Sequence, residues 1–101
     1  MIMVLSKTMN ERLEVIVSGR VQMVMYRDFT CRMASRYSVV GEVQNLPDGT
    51  VKVTAEGEKV NLERLLKKLH KGPLLARVKT VVSEWGDGTN QYEKFSITYG
   101  K

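Results

Sequence analysis

Hydrophobic spacing along this chain switches repeatedly between a period of two and a period near 3.6, and the order of the switches leaves few folds open. Residues 12–18 alternate, with Leu13, Val15 and Val17 on one face, which predicts a half-buried strand. The alternation breaks over residues 18–25, Ser-Gly-Arg-Val-Gln-Met-Val-Met, which reads as a loop. From Tyr26 to about residue 36 the spacing turns helical, with Tyr26, Phe29, Met33 and Tyr37 along one stripe. Residues 39–45 form a second strand, and Leu46-Pro47-Asp48-Gly49 is a tight turn. In residues 50–56, Val51, Val53 and Ala55 point one way and Thr50, Lys52, Thr54 and Glu56 the other. A second helix covers residues 58–71 on a stripe of Leu62, Leu65, Leu66 and Leu69, stopped by Gly72-Pro73. Residues 76–85 read as a strand whose alternation slips near Thr80, as at a bulge, and residues 92–99 as a last strand with Phe95, Ile97 and Tyr99 in phase.

The order strand, helix, strand, strand, helix, strand, with one further strand, predicts an α+β fold. Right-handed crossovers turn it into a split β-α-β (ferredoxin-like) sandwich, an antiparallel sheet with both helices on one face. In that topology the first two strands run the same way, separated by the third. Their C-terminal ends then lie about 10 Å apart at one end of the sheet. The extra strand belongs at an edge that the spacing does not identify.

A chain of 101 residues holds one domain, and an apolar share of 43% argues against disorder. Residues 1–10 read as a flexible tail ahead of a domain spanning 11–101, with Met3 and Met9 as alternative starts to Met1. A single cysteine, Cys31, forms no intrachain disulfide and calls for no oxidising compartment. With His70 as the one histidine, no zinc site with soft ligands is available, and Ser-His-Asp or Cys-His catalysis has little to draw on. No apolar run reaches the ~18 residues of a membrane helix, and Ile2-Met3-Val4-Leu5 is too short for a signal peptide. A cytoplasmic monomer is the expectation. The net charge of +5 favours anionic partners without choosing among them.

The loop before the first helix narrows that choice. A helix N-terminus offers unpaired N–H groups and partial positive charge, which suit an anion. Arg27 sits in the first turn, where a cation opposes the dipole by a few tenths to about 1 kcal/mol. A misplaced arginine beside a glycine-containing loop suggests two positive fields converging on an anion, although a solvated first-turn arginine is the plainer alternative. Asn45 shares the face of Val43 and lies at the strand end that the topology brings to the same edge; it also suits the start of the following turn.

The stretch Gly19-Arg20-Val21-Gln22-Met23-Val24-Met25-Tyr26-Arg27 resembles the first signature of the acylphosphatases, Gly-x-Val-Gln-Gly-Val-x-Phe/Tyr-Arg. Gly41-Glu42-Val43-Gln44-Asn45, with Gly49, Val51 and Gly57, resembles the second. The likeness runs on through Gly72-Pro73 and Ala76-Arg77-Val78 to the last strand. It implies the same split sandwich, and hydrolysis of a small-molecule acyl phosphate to carboxylate and phosphate with neither metal nor cofactor. By resemblance, Arg27 grips the phosphoryl oxygens, the loop from Gly19 through Arg20, Val21, Gln22, Met23, Val24 and Met25 supplies backbone N–H groups, and Asn45 positions the attacking water. The carboxylate leaves easily, so positioning and electrostatics suffice. Two positions depart from the pattern. Glu42 stands where an aromatic is usual, on the face opposite Val43. Met23 replaces the middle glycine, where a left-handed conformation costs about 1–2 kcal/mol. That substitution keeps a second reading open, a weakly active or non-catalytic anion-binding relative. A nucleic-acid module of the same topology is the competing class. It is disfavoured because Arg12, Glu14, Ile16, Thr50, Lys52, Thr54 and Glu56, the outward positions of the first and third strands, include no aromatic on which a base could stack.

Overall fold

The structure, a computed structural model, describes residues 10–99. The expected tail, apart from Asn10, and the alternative start at Met3 or Met9 lie outside the described residues. Strands β1 (Glu11–Arg20), β2 (Val40–Asn45), β3 (Val51–Gly57), β4 (Arg77–Asp87) and β5 (Phe95–Ile97) enclose helices α1 (Tyr26–Arg36) and α2 (Lys59–Lys71) in chain order. The sheet order is β4-β1-β3-β2-β5. β3 pairs antiparallel with both β1 and β2, so those two strands run in the same direction, as expected.

The sheet is mixed rather than wholly antiparallel. β5 lies parallel to β2, with Gly41, Glu42 and Val43 opposite Phe95, Ser96 and Ile97. The chain reaches that far edge by crossing the sheet from β4 on the opposite side, which fixes the direction. β5 is also shorter than the spacing of residues 92–99 suggests. Its last support, the bond from Thr98 N–H to the Val43 carbonyl at 2.9 Å, falls outside the strand proper.

The core lies between the sheet and the two helices. Val15, Val17, Val51 and Val53 meet Leu62, Leu65 and Leu69 there, all buried. On α1 the fully buried positions are Tyr26, Thr30 and Ala34, spaced at one-turn intervals. Phe29, Met33 and Tyr37 flank that line and are only half-buried. Small residues on the line bring the helix backbone close to the sheet, and Thr30 satisfies its hydroxyl on the Tyr26 carbonyl at 2.9 Å. The bulge expected near Thr80 is present: Ser18 faces Thr80 while Gly19 faces Val78, leaving Lys79 as the extra residue.

Glu56 departs from expectation. The alternation of β3 turns it away from the helices, yet it is fully buried. The segment after β4 folds over it. Thr89 donates its N–H at 2.9 Å and its hydroxyl at 2.7 Å, Asn90 its N–H at 3.0 Å, and Arg12 a guanidinium N–H at 3.3 Å. Burial pushes the Glu56 carboxyl up, but these donors to the ionised form outweigh it and hold the pKa below the usual value. A carboxyl depressed in the folded state stabilises above its unfolded pKa, and that contribution disappears as pH falls through the folded value. Glu56→Gln should therefore lower the melting temperature at pH 7 by about 10 °C, the equivalent of roughly 2 kcal/mol. In melting curves from pH 7 down to 2, the gap to wild type should close below about pH 4.

Candidate active site

The loop between β1 and α1 is held at three points. At its start Gly19 has φ 120°, and a Cβ there would stand 2.2 Å from the Arg77 carbonyl oxygen, so β4 approaches closely only because the side chain is missing. In its middle Val21 and Val24 are buried. Gln22 reaches across to the β2–β3 turn, its side-chain N–H₂ donating to the carbonyls of Leu46 at 2.9 Å and Thr50 at 2.8 Å. The loop is thereby tied to the turn that follows Asn45.

At its end the loop enters α1 unusually. The N-cap is Met25, in the left-handed conformation with φ 68° and ψ 24° and with no side-chain cap. The first helical bond runs from Phe29 N–H to the Met25 carbonyl at 3.0 Å. The N–H groups of Tyr26, Arg27 and Asp28 precede it and have no intrahelical acceptor. Replacing a capping serine or aspartate by an apolar residue costs about 1 kcal/mol. Met23 is left-handed as well, at φ 63°. The glycine position of the family pattern thus keeps a glycine conformation with a methionine in it.

Val21, Met23, Met25, Tyr26, Arg27, Asp28, Asn45 and Ile97 line one cavity of about 270 Å³. Arg27 and Asn45, from different elements, are therefore brought to one site. Of the expected loop residues, Val21, Met23 and Met25 face it. Gly19, Arg20, Gln22 and Val24 do not line it: Gly19 shapes the bulge, Arg20 is exposed, Gln22 braces the turn and Val24 anchors the loop.

Three features bear on chemistry. The guanidinium of Arg27 has no ion-pair partner among the described residues and lies 5.4 Å from the centre of the Tyr99 ring. The neighbouring acid, Asp28, is engaged by Arg32 at 3.2 Å one turn along the helix. The side-chain oxygen of Asn45 is buried and accepts no hydrogen bond among the described residues, a state that a buried polar atom rarely occupies without a partner to come. Beneath the site the Tyr26 hydroxyl donates to the Leu69 carbonyl at 2.6 Å, and burial pushes its pKa well above the usual phenol range. Tyr26 therefore stays neutral and serves as a wall.

The family model for acylphosphatase matches residues 13–97, which span both signatures and the cavity between them. The chain belongs to the acylphosphatase family. It is 49% identical over 76 residues to an acylphosphatase of Thermus thermophilus, covering 75% of this chain and 86% of the relative. It is 42% identical over 87 residues to that of Salinibacter ruber, covering 86% and 92%. The crystal structure of the acylphosphatase from Bacillus subtilis superposes with a TM-score of 0.85 at 29% identity, covering 88% of this chain and 99% of that one. The acylphosphatase signatures pointed to Arg27, Asn45 and the loop, but not to Ile97, Asp28 or Tyr99. The in-phase run Phe95, Ile97, Tyr99 is visible in the sequence; its placement against β2 is not. The register ends with Val43 opposite Ile97, and the chain continues from there to Tyr99, whose ring lies by Arg27.

Proposed function

We propose that the cavity between the β1–α1 loop and the end of β2 is where this acylphosphatase splits its substrate. As a member of that family the chain hydrolyses acyl phosphates to a carboxylate and inorganic phosphate. Arg27 and the free N–H groups at the start of α1 hold the phosphoryl oxygens, the planar guanidinium matching two at once. Asn45 accepts a hydrogen bond from the attacking water and aims its lone pair at phosphorus. The bond from phosphorus to the acyl oxygen breaks, the carboxylate departs with the electron pair, and a phosphoryl oxygen takes the proton from the water. Preorganised charge and position supply the acceleration. Asn45 lines the same cavity as Arg27, and its buried side-chain oxygen, unpartnered among the described residues, carries this assignment.

The test separates the two roles. Asn45→Ala should reduce kcat for acetyl phosphate about a hundredfold, while competitive inhibition by inorganic phosphate, the task of Arg27, stays within a few-fold of wild type. An Asn45→Ala enzyme retaining half of the wild-type kcat would remove that residue from the mechanism.

We also take residues 11–101 as the working domain, and the protein as a monomer of the cytoplasm that does not bind nucleic acid. Supporting this, the outward positions of β1 and β3 carry no aromatic, and two of them, Thr54 and Glu56, are buried. None of the described helices is long and apolar enough to cross a membrane.

A further inference from the structure

We infer that the rim of the phosphate cavity reads the acyl half of the substrate, and that this half is uncharged and apolar, an aliphatic chain rather than an acyl group bearing a second acid. The inference rests on the acylphosphatase reading given above and adds a substrate class to it.

The first observation is space. A liquid water takes up about 30 Å³, so a cavity of about 270 Å³ holds considerably more than a phosphoryl group. The second is charge. Among the described residues Arg27 is the one cation lining the cavity, and the phosphoryl group claims it; the other ionic lining residue is Asp28. A carboxylate or second phosphate on the acyl group would meet no further cation there and would face that acid. Asn45 is claimed by the attacking water, and the rest of the lining, Val21, Met23, Met25, Tyr26 and Ile97, is apolar or aromatic, with the two exposed methionines at the mouth.

The third observation is where the methionines stand. Met23 is 99% exposed and Met25 66% exposed, and both are held left-handed. An L-residue in that conformation costs about 1–2 kcal/mol; Met23 recovers none of it by burial and Met25 little. Folding therefore gives no reason for these side chains. Strain kept at the mouth of a site points to the site, and unbranched, polarizable methionines suit contact with apolar ligands of variable shape. Tyr99, 76% exposed over Arg27, extends the same apolar rim.

The experiment compares acetyl, butyryl and hexanoyl phosphate, whose leaving carboxylates are nearly equally basic, with adipoyl monophosphate, which is hexanoyl phosphate carrying a terminal carboxylate. For wild type, kcat/KM should rise about tenfold from acetyl to hexanoyl, less than full burial of every CH₂ would give, and fall back for adipoyl monophosphate. Met23→Gln, which keeps the backbone cost and removes the apolar end, should cut the hexanoyl-to-acetyl ratio at least threefold. Met23→Lys should raise adipoyl over hexanoyl turnover. In parallel, methylphosphonate and hexylphosphonate binding is measured by calorimetry. Turnover that is flat across the series overturns the inference and leaves the acylphosphatase reading standing. Absence of turnover, with hexylphosphonate still bound about tenfold more tightly than methylphosphonate and weakened by Met23→Gln, overturns the hydrolytic reading and leaves the apolar rim standing. Equal binding of the two phosphonates overturns the rim in either case.

Discussion

Arg27→Ala should lose about a thousandfold in kcat/KM for acetyl phosphate, while its melting temperature stays within a few degrees of wild type. The two halves of this result follow from one arrangement. Arg27 makes no ion pair among the described residues, and its guanidinium lies over the Tyr99 ring. Losing that contact at an exposed ring costs no more than about 1 kcal/mol, and losing a cation from the first turn of a helix returns part of it. Stability therefore changes little. On the proposed assignment binding changes greatly, because two phosphoryl oxygens would lose a charged, bidentate donor in a cavity lined by no other cation among the described residues. Arg27→Lys keeps the charge without the planar fork and should recover only part of the activity. Retention of a tenth of wild-type kcat/KM by Arg27→Ala would move the phosphate site elsewhere.

A larger effect on folding is expected at Gly41. A Cβ built there would stand 1.9 Å from the Thr54 carbonyl oxygen and 2.9 Å from the Ala55 Cα, at φ 142°. The obstacle is the backbone of β3, which is fixed on both sides by β1 and β2 and cannot give way. Gly41→Ala should cost more than about 4 kcal/mol, a large part of the 5–15 kcal/mol that stabilises a domain of ordinary size. Thermal unfolding followed by circular dichroism measures it, and most of the chain should be unfolded or insoluble at 37 °C. Gly49 is the control. Its φ is also positive, at 93°, but nothing lies within 4 Å of its Cβ position. Gly49→Ala should cost only about 1 kcal/mol. Equal melting temperatures for the two variants would mean that the close approach at Gly41 is not what the glycine serves.

Much of this architecture is readable from spacing alone, for a definable reason. β1 and α2 each bury one face and leave the other more exposed over several repeats, and β3 alternates apolar with polar side chains, so the period of each is written into its residues. β5 has three residues and a neighbour far away in sequence. A period cannot be read from so short a segment, and no local rule states that it pairs parallel to β2. Two site residues, Ile97 and Tyr99, escaped notice for that reason. Glu56 escaped for another. Alternation correctly turns it away from the helices, but the segment that buries it, around Thr89 and Asn90, is polar and has no hydrophobic pattern to announce it. The left-handed backbone at Met23 could be anticipated from the glycine it replaces in the signature. The same conformation at Met25 could not, since methionine carries no preference for it.

β5 has a practical bearing on how the protein is handled. It is the shortest strand, it sits at a sheet edge, and it delivers the ring that rests on Arg27. A bulky group attached at Tyr99 would pull on the wall of the candidate site. Attachment at Glu11 spares it, since that residue begins β1 at the end of the sheet remote from the β1–α1 loop, a strand's full length away.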